Sequence, residues 1–337
     1  MNKAIKHIGI VGCGGIAGFN DDSKRRHIYT HAKAISKIDR LSLSACCDTN
    51  ETQLNAFANK WKVPNRYTDL QEMLLKEQLD ILVIATPTDL HYEQVLLGLP
   101  TEVIFCEKPL TWNIATGIKI VKKAEKANTL LVVNHMRRWD SFYAECKSLL
   151  DSGELGRIET IATYVDTALY MNSSHMIDMI LYFGGDVHLV AGLLDRLNET
   201  RIVHGKEDPG AMAMIEHKNG IITFLKATGE SRKNHFFELD FQCTKGRLRI
   251  LDDDMRYQVY KFYDSSQHEG LDELVLDYVV ENSYKDERVV NAYLDILAYL
   301  DTKKKPLFTA KDALKSLEVI NLIYESDSKL VVRSRLG

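Results

Sequence analysis

The 337-residue chain has little of what marks the specialised protein classes. No apolar run approaches the ~20 residues that a membrane-spanning helix needs, so no membrane partner is expected. Neither charge sign dominates: 43 Lys+Arg face 47 Asp+Glu, the net charge is −4, and the signs are interspersed. That balance gives no reason to expect a nucleic-acid or polybasic membrane partner. Cysteine is sparse, at positions 13, 46, 47, 106, 146 and 243, and no two cysteines form a CxxC pair. The spacing therefore supports neither a disulfide framework nor a metal site. Several of these cysteines fall in apolar runs and read as small buried hydrophobes in a reducing compartment. Internal repeats and low-complexity linkers are absent as well. The opening MNKAIKHIGIVGCGG lacks the long apolar core of a secretory leader, so a cytoplasmic location is expected. What is present is a globular composition, 45% hydrophobic and 27% charged, at a length that suits two domains.

The first ~130 residues alternate short apolar runs with helix-like stretches. Strands are predicted at His7–Val11, Leu41–Cys47, Asp80–Ala85, Val103–Cys106 and Leu130–Val133. Between them lie helical patterns at Glu51–Trp61, Leu70–Glu77, His91–Leu97 and Asn113–Ala127. Such alternation implies a doubly wound parallel sheet, and the unbroken apolarity of the strands implies cover on both faces. After Trp139 the pattern changes. A helix is predicted over Asp140–Asp151, a strand over Arg157–Thr167 and a second helix over Ser173–Phe183. Alternating strands follow at Val187–Leu193, Ala211–His217, Ile221–Thr228, Phe236–Cys243 and Arg247–Leu251, with Asn219-Gly220 marking a hairpin turn. Helices close the chain at Ala292–Tyr299 and Lys311–Ser326. The expected fold class is therefore α/β. Residues 1–130 would form a dinucleotide-binding domain of Rossmann type. Residues 131–337 would form an α+β domain with one large, open, mostly antiparallel sheet and helices on one face.

Chemistry concentrates at strand ends. The first strand runs into Gly12-Cys13-Gly14-Gly15-Ile16-Ala17, a GxGxxA pattern. Gly12 permits the tight turn, Gly14 lets backbone approach a pyrophosphate, and Ala17 allows close packing of a following helix whose amino terminus attracts phosphate. The second strand ends at Asp48, where a carboxylate accepts hydrogen bonds from ribose hydroxyls and repels a 2′-phosphate. No Arg or Lys adjoins it, which favours NAD over NADP. Gly14 and Asp48 are 34 residues apart, more than the ~20 of the usual pattern. The excess reads as an insertion around Phe19–Thr30, whose Asp21-Asp22 and Lys24-Arg25-Arg26 read as a solvated loop. Further on, the strand at Asp80–Ala85 ends in Thr86-Pro87-Thr88, with His91 beyond, at the edge where a nicotinamide would lie.

The most informative stretch is VIFCEKPL, Val103–Leu110. Its apolar run stops at Glu107-Lys108-Pro109, because proline cannot donate to a ladder and holds the residue before it in extended conformation. Lys108 is thereby fixed at the carboxyl edge of a sheet, where open α/β folds bind ligands. Taken alone, the tripeptide also describes a solvated lysine at a strand end. Its neighbours favour a lysine that acts as an acid or base.

Together these segments resemble the glucose–fructose oxidoreductase/inositol dehydrogenase/MocA (Gfo/Idh/MocA) family over nearly the whole chain. GIVGCGGIAG, CCDTN, IATPTDLH, CEKPL, NHMRRWD and SSHMIDMILYFGG stand in the family's order and at about its spacing. The resemblance implies NAD(P)-dependent oxidation or reduction of sugars, polyols and related hydroxy compounds, with the open sheet building a homodimer or homotetramer. Lys108 matches the family's catalytic lysine and His175 its catalytic histidine, while Asp178 matches the aspartate one helical turn later. By the same resemblance, Gly15, Ile16, Thr86, Pro87, His91 and Glu107 join Gly12, Gly14, Asp48 and Lys108 at the cofactor. Arg137 and Arg138 in HMRRWD fall in a segment that faces the active-site cleft in inositol dehydrogenase-like members. An arginine there could clamp a carboxylate, phosphate or polyol, or make an ion pair. There is one departure: Met171 stands where family dehydrogenases carry an aspartate, and the neighbouring Asn172 is an amide that cannot stabilise an imidazolium as a carboxylate does.

Three functions remain open on the sequence. The first is hydride transfer between NAD and a secondary carbinol of a sugar-like molecule, with a lysine of depressed pKa or His175 taking the hydroxyl proton. A second is transient oxidation followed by elimination of a glycosidic substituent, with no net cofactor turnover. The last is a non-catalytic NAD-binding sensor, to which the lost aspartate at Met171 would be the clue.

Overall fold

The computed structural model describes the chain apart from residues 1–3, 22–27, 197–199, 204, 229–235, 284–286, 330–331 and 335–337. Two compact units result: Met1–Asp140 with Tyr284–Leu317, and Ser141–Ser283 with Glu318–Gly337. The chain thus contributes to the first unit twice, whereas the sequence pattern suggests a single division after residue 130.

The first unit is built on six strands: β1 (Lys6–Val11), β2 (Leu41–Cys47), β3 (Asn65–Tyr67), β4 (Ile81–Ile84), β5 (Val103–Cys106) and β6 (Leu130–Val133). They pair in the order β3-β2-β1-β4-β5-β6, all parallel. Every residue of β4 and β5 is fully buried, as unbroken apolar runs covered on both faces require. The helices are α1 (His31–Ile35), α2 (Glu51–Trp61), α3 (Leu70–Lys76), α4 (Thr88–Gly98) and α5 (Ile114–Ala127). Side-chain caps set four of their starts. Thr30, Asn50, Asp69 and Asn113 each accept a backbone N–H from the first turn. The strand order reverses between β1 and β4, and a doubly wound sheet opens its ligand crevice at that switch point.

The second unit begins with α6 (Ser141–Asp151), β7 (Ile158–Val165) and α7 (Asn172–Gly184). Strands β8 (Val187–Leu194), β9 (Arg201–Val203), β10 (Lys206–Asp208), β11 (Ala211–His217), β12 (Ile222–Ala227), β13 (Phe237–Cys243), β14 (Gly246–Leu251), β15 (Arg256–Asp264) and β16 (Asp272–Glu281) follow. Helix α8 (Arg288–Thr302) then belongs to the first unit, α9 (Ala310–Lys329) crosses the division at Leu317/Glu318, and β17 (Val332–Arg333) returns to the second. Nine strands form one sheet in the order β16-β15-β14-β13-β7-β12-β11-β8-β17. Among the described residues of this sheet, only the β7–β12 pair is parallel. Burial alternates strictly along β11, with Ala211, Ala213, Ile215 and His217 inside and Met212 and Met214 outside. Such alternation marks a sheet with one covered and one open face. Strands β15 and β16, absent from the sequence pattern, extend this sheet as a hairpin whose far half is exposed.

Candidate functional site

Gly12 directly follows β1, at a φ of +87° that favours glycine, and its N–H donates to the Cys47 carbonyl. A Cβ there would lie 2.7 Å from the Ala85 backbone, so the turn closes against the end of β4. Gly14 is the opposite case. It has an ordinary φ of −88°, and a Cβ on it would meet nothing within 4 Å. Backbone is therefore laid bare towards open space at Gly14. The next residues differ from expectation. Gly15–Phe19 forms a five-residue π-helical turn rather than a continuous helix, so no long helix axis starts at the loop. Gly15 and Ile16 lie half-buried in that turn, and Ala17 is fully buried as close packing demands.

Asp48 is tied into the same loop. One carboxylate oxygen accepts the Cys13 N–H at 2.8 Å, and the other accepts the Asn50 N–H at 2.8 Å. The Gln53 side-chain amide closes the circle by donating to the Cys13 carbonyl at 2.9 Å. Glycine loop and β2 end thus hold each other, and each Asp48 oxygen can accept a further hydrogen bond. A groove of about 390 Å³ runs past Gly12, Gly14, Asp48, Thr49, Asp69, Thr86 and Pro87, among others. Its lining carries two carboxylates and no Lys or Arg, which suits an unphosphorylated ribose better than a 2′-phosphate. The insertion is less solvated than expected: the Asp21 carboxylate receives the N–H groups of Tyr29 and Thr30 and the Thr30 hydroxyl. Asp22, Lys24, Arg25 and Arg26 lie outside the described residues.

At the exit of β4, the Thr86 hydroxyl donates to the Gln94 side chain at 2.5 Å. His91 is fully buried, with Nε2 at 3.0 Å from the Thr86 carbonyl and Nδ1 at 3.1 Å from the Pro109 carbonyl. Burial holds this imidazole below the usual histidine range, against the pull of the carbonyls and Glu107. His91 therefore joins the Thr86 and Pro109 segments, and the ring's polar atoms are engaged in doing so.

β5 delivers Glu107 and Lys108, and the Lys108–Pro109 peptide is cis. Lys108 is half-buried, and its N–H donates to Glu107 Oε2 at 3.3 Å. The other Glu107 oxygen receives Asn134 Nδ2 at 2.7 Å and His31 Nε2 at 3.0 Å. His31 Nδ1 lies 2.9 Å from the Tyr293 hydroxyl. Burial alone would raise the Glu107 pKa. The hydrogen bonds from His31 and Asn134, together with the Lys108 charge, outweigh burial and hold the carboxyl below its ordinary range. His31 and Tyr293 went unnoticed in the sequence: 262 positions separate them, and neither sits in a motif. Beyond β6, Arg137 is buried, and the Arg138 guanidinium stacks 5.0 Å over the Phe308 ring.

In the second unit, α7 carries His175 and Asp178, both buried and on one helical face by their spacing of three. Asn172 opens the helix, half-buried. Met171 occupies the N-cap position without a side-chain cap bond, and its carbonyl takes the Ser174 hydroxyl at 2.6 Å. Tyr170 is buried, its N–H bonded to the Asp208 carboxylate at 2.9 Å.

A six-stranded parallel sheet with this glycine turn and an acidic β2 end defines a dinucleotide-binding α/β protein, here joined to an open-sheet unit. Residues 6–135 match the GFO_IDH_MocA model, described as an oxidoreductase family with NAD-binding Rossmann fold. Residues 163–332 match its carboxy-terminal alpha/beta domain. The chain belongs to the Gfo/Idh/MocA oxidoreductase family, and its amino-terminal unit is an NAD-binding Rossmann domain. It is 31% identical over 156 residues to an inositol 2-dehydrogenase from Mycolicibacterium gilvum, a match covering 42% of each chain. That match thus spans less than half the length of the relative. Among solved structures, levoglucosan dehydrogenase in complex with NADH and levoglucosan superposes with a TM-score of 0.83 at 17% identity, covering 99% of this chain and 100% of that one. The WlbA dehydrogenase from Bordetella pertussis, in complex with NADH and UDP-GlcNAcA, gives 0.78 at 20% identity, with 99% and 100% covered.

Proposed function

We propose that the protein is an NAD-dependent oxidoreductase that moves a hydride between nicotinamide and a secondary hydroxyl or keto group of a sugar, sugar derivative or inositol-like polyol. The observation that carries this reading is Lys108, held at the carboxyl end of β5, one strand beyond the β1/β4 switch point that opens the dinucleotide groove. The dehydrogenase names of the relatives and the sugar ligands of the structural neighbours support it. Gly12 and Gly14 would admit the pyrophosphate, Asp48 would take the adenosine ribose, and Thr86, Pro87 and Glu107 would lie towards the nicotinamide. NAD supplies the hydride acceptor or donor when bound. Lys108 and His175 handle the proton of the reacting hydroxyl, which must leave as the carbon is oxidised. Asn172, Asp178, Arg137 and Arg138 are the proposed substrate contacts. With Met171 offering no carboxylate, Lys108 carries more of the proton transfer than a histidine–aspartate pair would leave to it.

The experiment is NAD reduction at 340 nm across myo-inositol, glucose, levoglucosan and uronic acids. Lys108→Met and His175→Ala should each lower kcat by roughly 10²- to 10⁴-fold, with NAD affinity retained. Wild-type turnover in both variants would remove the assignment. Release of a leaving group without net absorbance change would point to the eliminating chemistry, and tight NAD binding with no turnover on the panel to a sensor.

The second unit supports a proposal about partners. On the open face of its sheet, Met212, Phe224, Tyr164 and Leu193 are each about half exposed. We assign that face to self-association as a homodimer or homotetramer. All six cysteines are buried free thiols, in keeping with the proposed cytoplasmic location.

A further inference from the structure

Behind Lys108 lies a line of buried polar groups. Tyr293 on α8, His31 on α1 and Glu107 at the end of β5 are linked at 2.9 and 3.0 Å, and all three are at most 8% exposed. Asn134 adds a second donor at 2.7 Å to the same Glu107 oxygen. Burying polar groups this deep is costly unless they are bonded, and Tyr293, His31 and Glu107 are bonded to one another. Burial and the nearby Glu107 charge hold the Tyr293 hydroxyl protonated, far above the ordinary phenol range. As a donor to Nδ1, it selects the His31 tautomer whose Nε2–H points at Glu107. The donors converge on one carboxylate, and that carboxylate is the residue before Lys108. Other titratable groups near Glu107 are the buried Cys106 thiol, whose pKa burial and the Glu107 charge raise well above its usual range, and the neutral His91.

We propose that His31, with Tyr293 behind it, is a positioning residue for Lys108, acting through the Glu107 carboxylate. The proposal rests on Lys108 being the group that handles the proton. Glu107 Oε2 accepts the Lys108 backbone N–H, and the Lys108 charge reaches the carboxylate. An anion so fixed opposes loss of the ammonium proton, the reverse of the depression expected from a cationic nicotinamide. The two influences together set where Lys108 titrates. The network also gives the return of α8 to the first unit a role, since it supplies the hydroxyl at the far end of the line.

The test reads Lys108 itself. Competitive acetylation with acetic anhydride across pH, with the Lys108 peptide quantified by mass spectrometry, gives its titration midpoint without cofactor or substrate. In Glu107→Gln the midpoint should fall by about one pH unit or more. His31→Leu removes the donor that chiefly offsets burial at Glu107, so the carboxyl takes up a proton and the Lys108 midpoint should fall in the same direction. His31→Gln, which keeps an amide donor near the Nε2 position, should recover most of the wild-type value. Tyr293→Phe should move it least. With the substrate that turns over best in the panel, kcat should follow the same order while KM for NAD changes less than about twofold. A merely structural network would lower the melting temperature of the leucine and glutamine variants alike and leave the midpoint in place. That result overturns the proposal, as does an unmoved midpoint in Glu107→Gln. If His31→Leu does not fold, the glutamine and Tyr293→Phe variants still decide. The labelling stands apart from the functional assignment, which fails separately if Lys108→Met keeps its turnover.

Discussion

In the first unit, all six strands run parallel and bring their carboxyl ends to one edge, and the groups that matter there are fixed largely by backbone. In the second unit, the sheet is mixed, and the corresponding groups are side chains on one helix and on an open apolar face. The contrast separates two ways of building function. A glycine turn or a strand-end lysine is set by local covalent geometry and tolerates little change. A helix face or an open sheet depends on what meets it, and substitutions there should alter partners before they alter the fold.

Gly12 and Gly14 give the sharpest cut within the first unit. In Gly12→Ala a methyl group would sit at 2.7 Å from the Ala85 backbone at positive φ, so a loss of ~3 kcal/mol or more in stability is expected, with NAD binding abolished. Gly14→Ala meets no atom within 4 Å and should leave the melting temperature nearly unchanged. Its NAD affinity should still fall by roughly 100-fold, because the methyl group would occupy the proposed approach of the pyrophosphate. Calorimetric titration with NAD beside thermal melts separates the effects. Unchanged affinity in Gly14→Ala would show that the phosphates pass elsewhere.

Asp48 comes next in size. Asp48→Ala removes both the partner of the Cys13 and Asn50 amides and the proposed ribose acceptor. A stability loss of ~1–2 kcal/mol is expected, with NAD binding weakened about tenfold and NADP binding nearly unchanged. If the two cofactors weaken in parallel, the carboxylate is structural and discriminates nothing.

In the second unit, Phe224→Glu on the open face is expected to shift sedimentation towards the monomer while the melting profile of the monomer stays within about 1 kcal/mol of wild type. A monomeric wild-type protein would remove the assignment of that face to self-association.

The same contrast explains what was legible. The parallel strands β4, β5 and β6 stood out because burial on both faces writes an unbroken apolar run, which β1 carries only from Ile8 and β2, with Ser42 and Ser44, only from Ala45. β3 is three residues long, Asn65–Tyr67, with little apolar content, and left no trace. β15 and β16 were missed because the far half of their hairpin is exposed, which erases the alternation a half-buried strand would show. Motif positions such as Gly12, Asp48 and Lys108 were readable since each stands in a short, recognisable pattern at a strand end. His31 and Tyr293 were not, because their roles arise only when segments 262 positions apart fold together. The π-helical turn after Gly15 was also beyond the motif, which specifies the glycines but not the coil that follows them.

Two buried histidines, one in each unit, offer the finest comparison. Burial is the main cause that holds both His91 and His217 below the usual histidine range. His217 Nδ1 lies 2.9 Å from the Gly185 carbonyl and Nε2 2.9 Å from the Thr223 hydroxyl. One neutral tautomer satisfies both contacts, since the hydroxyl can donate to the bare nitrogen. His91 instead faces carbonyls with both nitrogens, so its neutral form leaves one contact unmet and its charged form would fill both. A depressed histidine contributes stability that is fully present above the unfolded pKa of ~6.5 and is lost as pH falls through the folded value. Between pH 7.5 and 5.5, above the titration of most carboxylates, His217 should therefore account for more of the acid-induced loss than His91, on the order of 1 kcal/mol. Denaturant melts of His217→Gln should show a flatter pH dependence than wild type, and His91→Gln a smaller flattening. The reverse order would mean that the second tautomeric contact matters less to these rings than the depth at which each is buried.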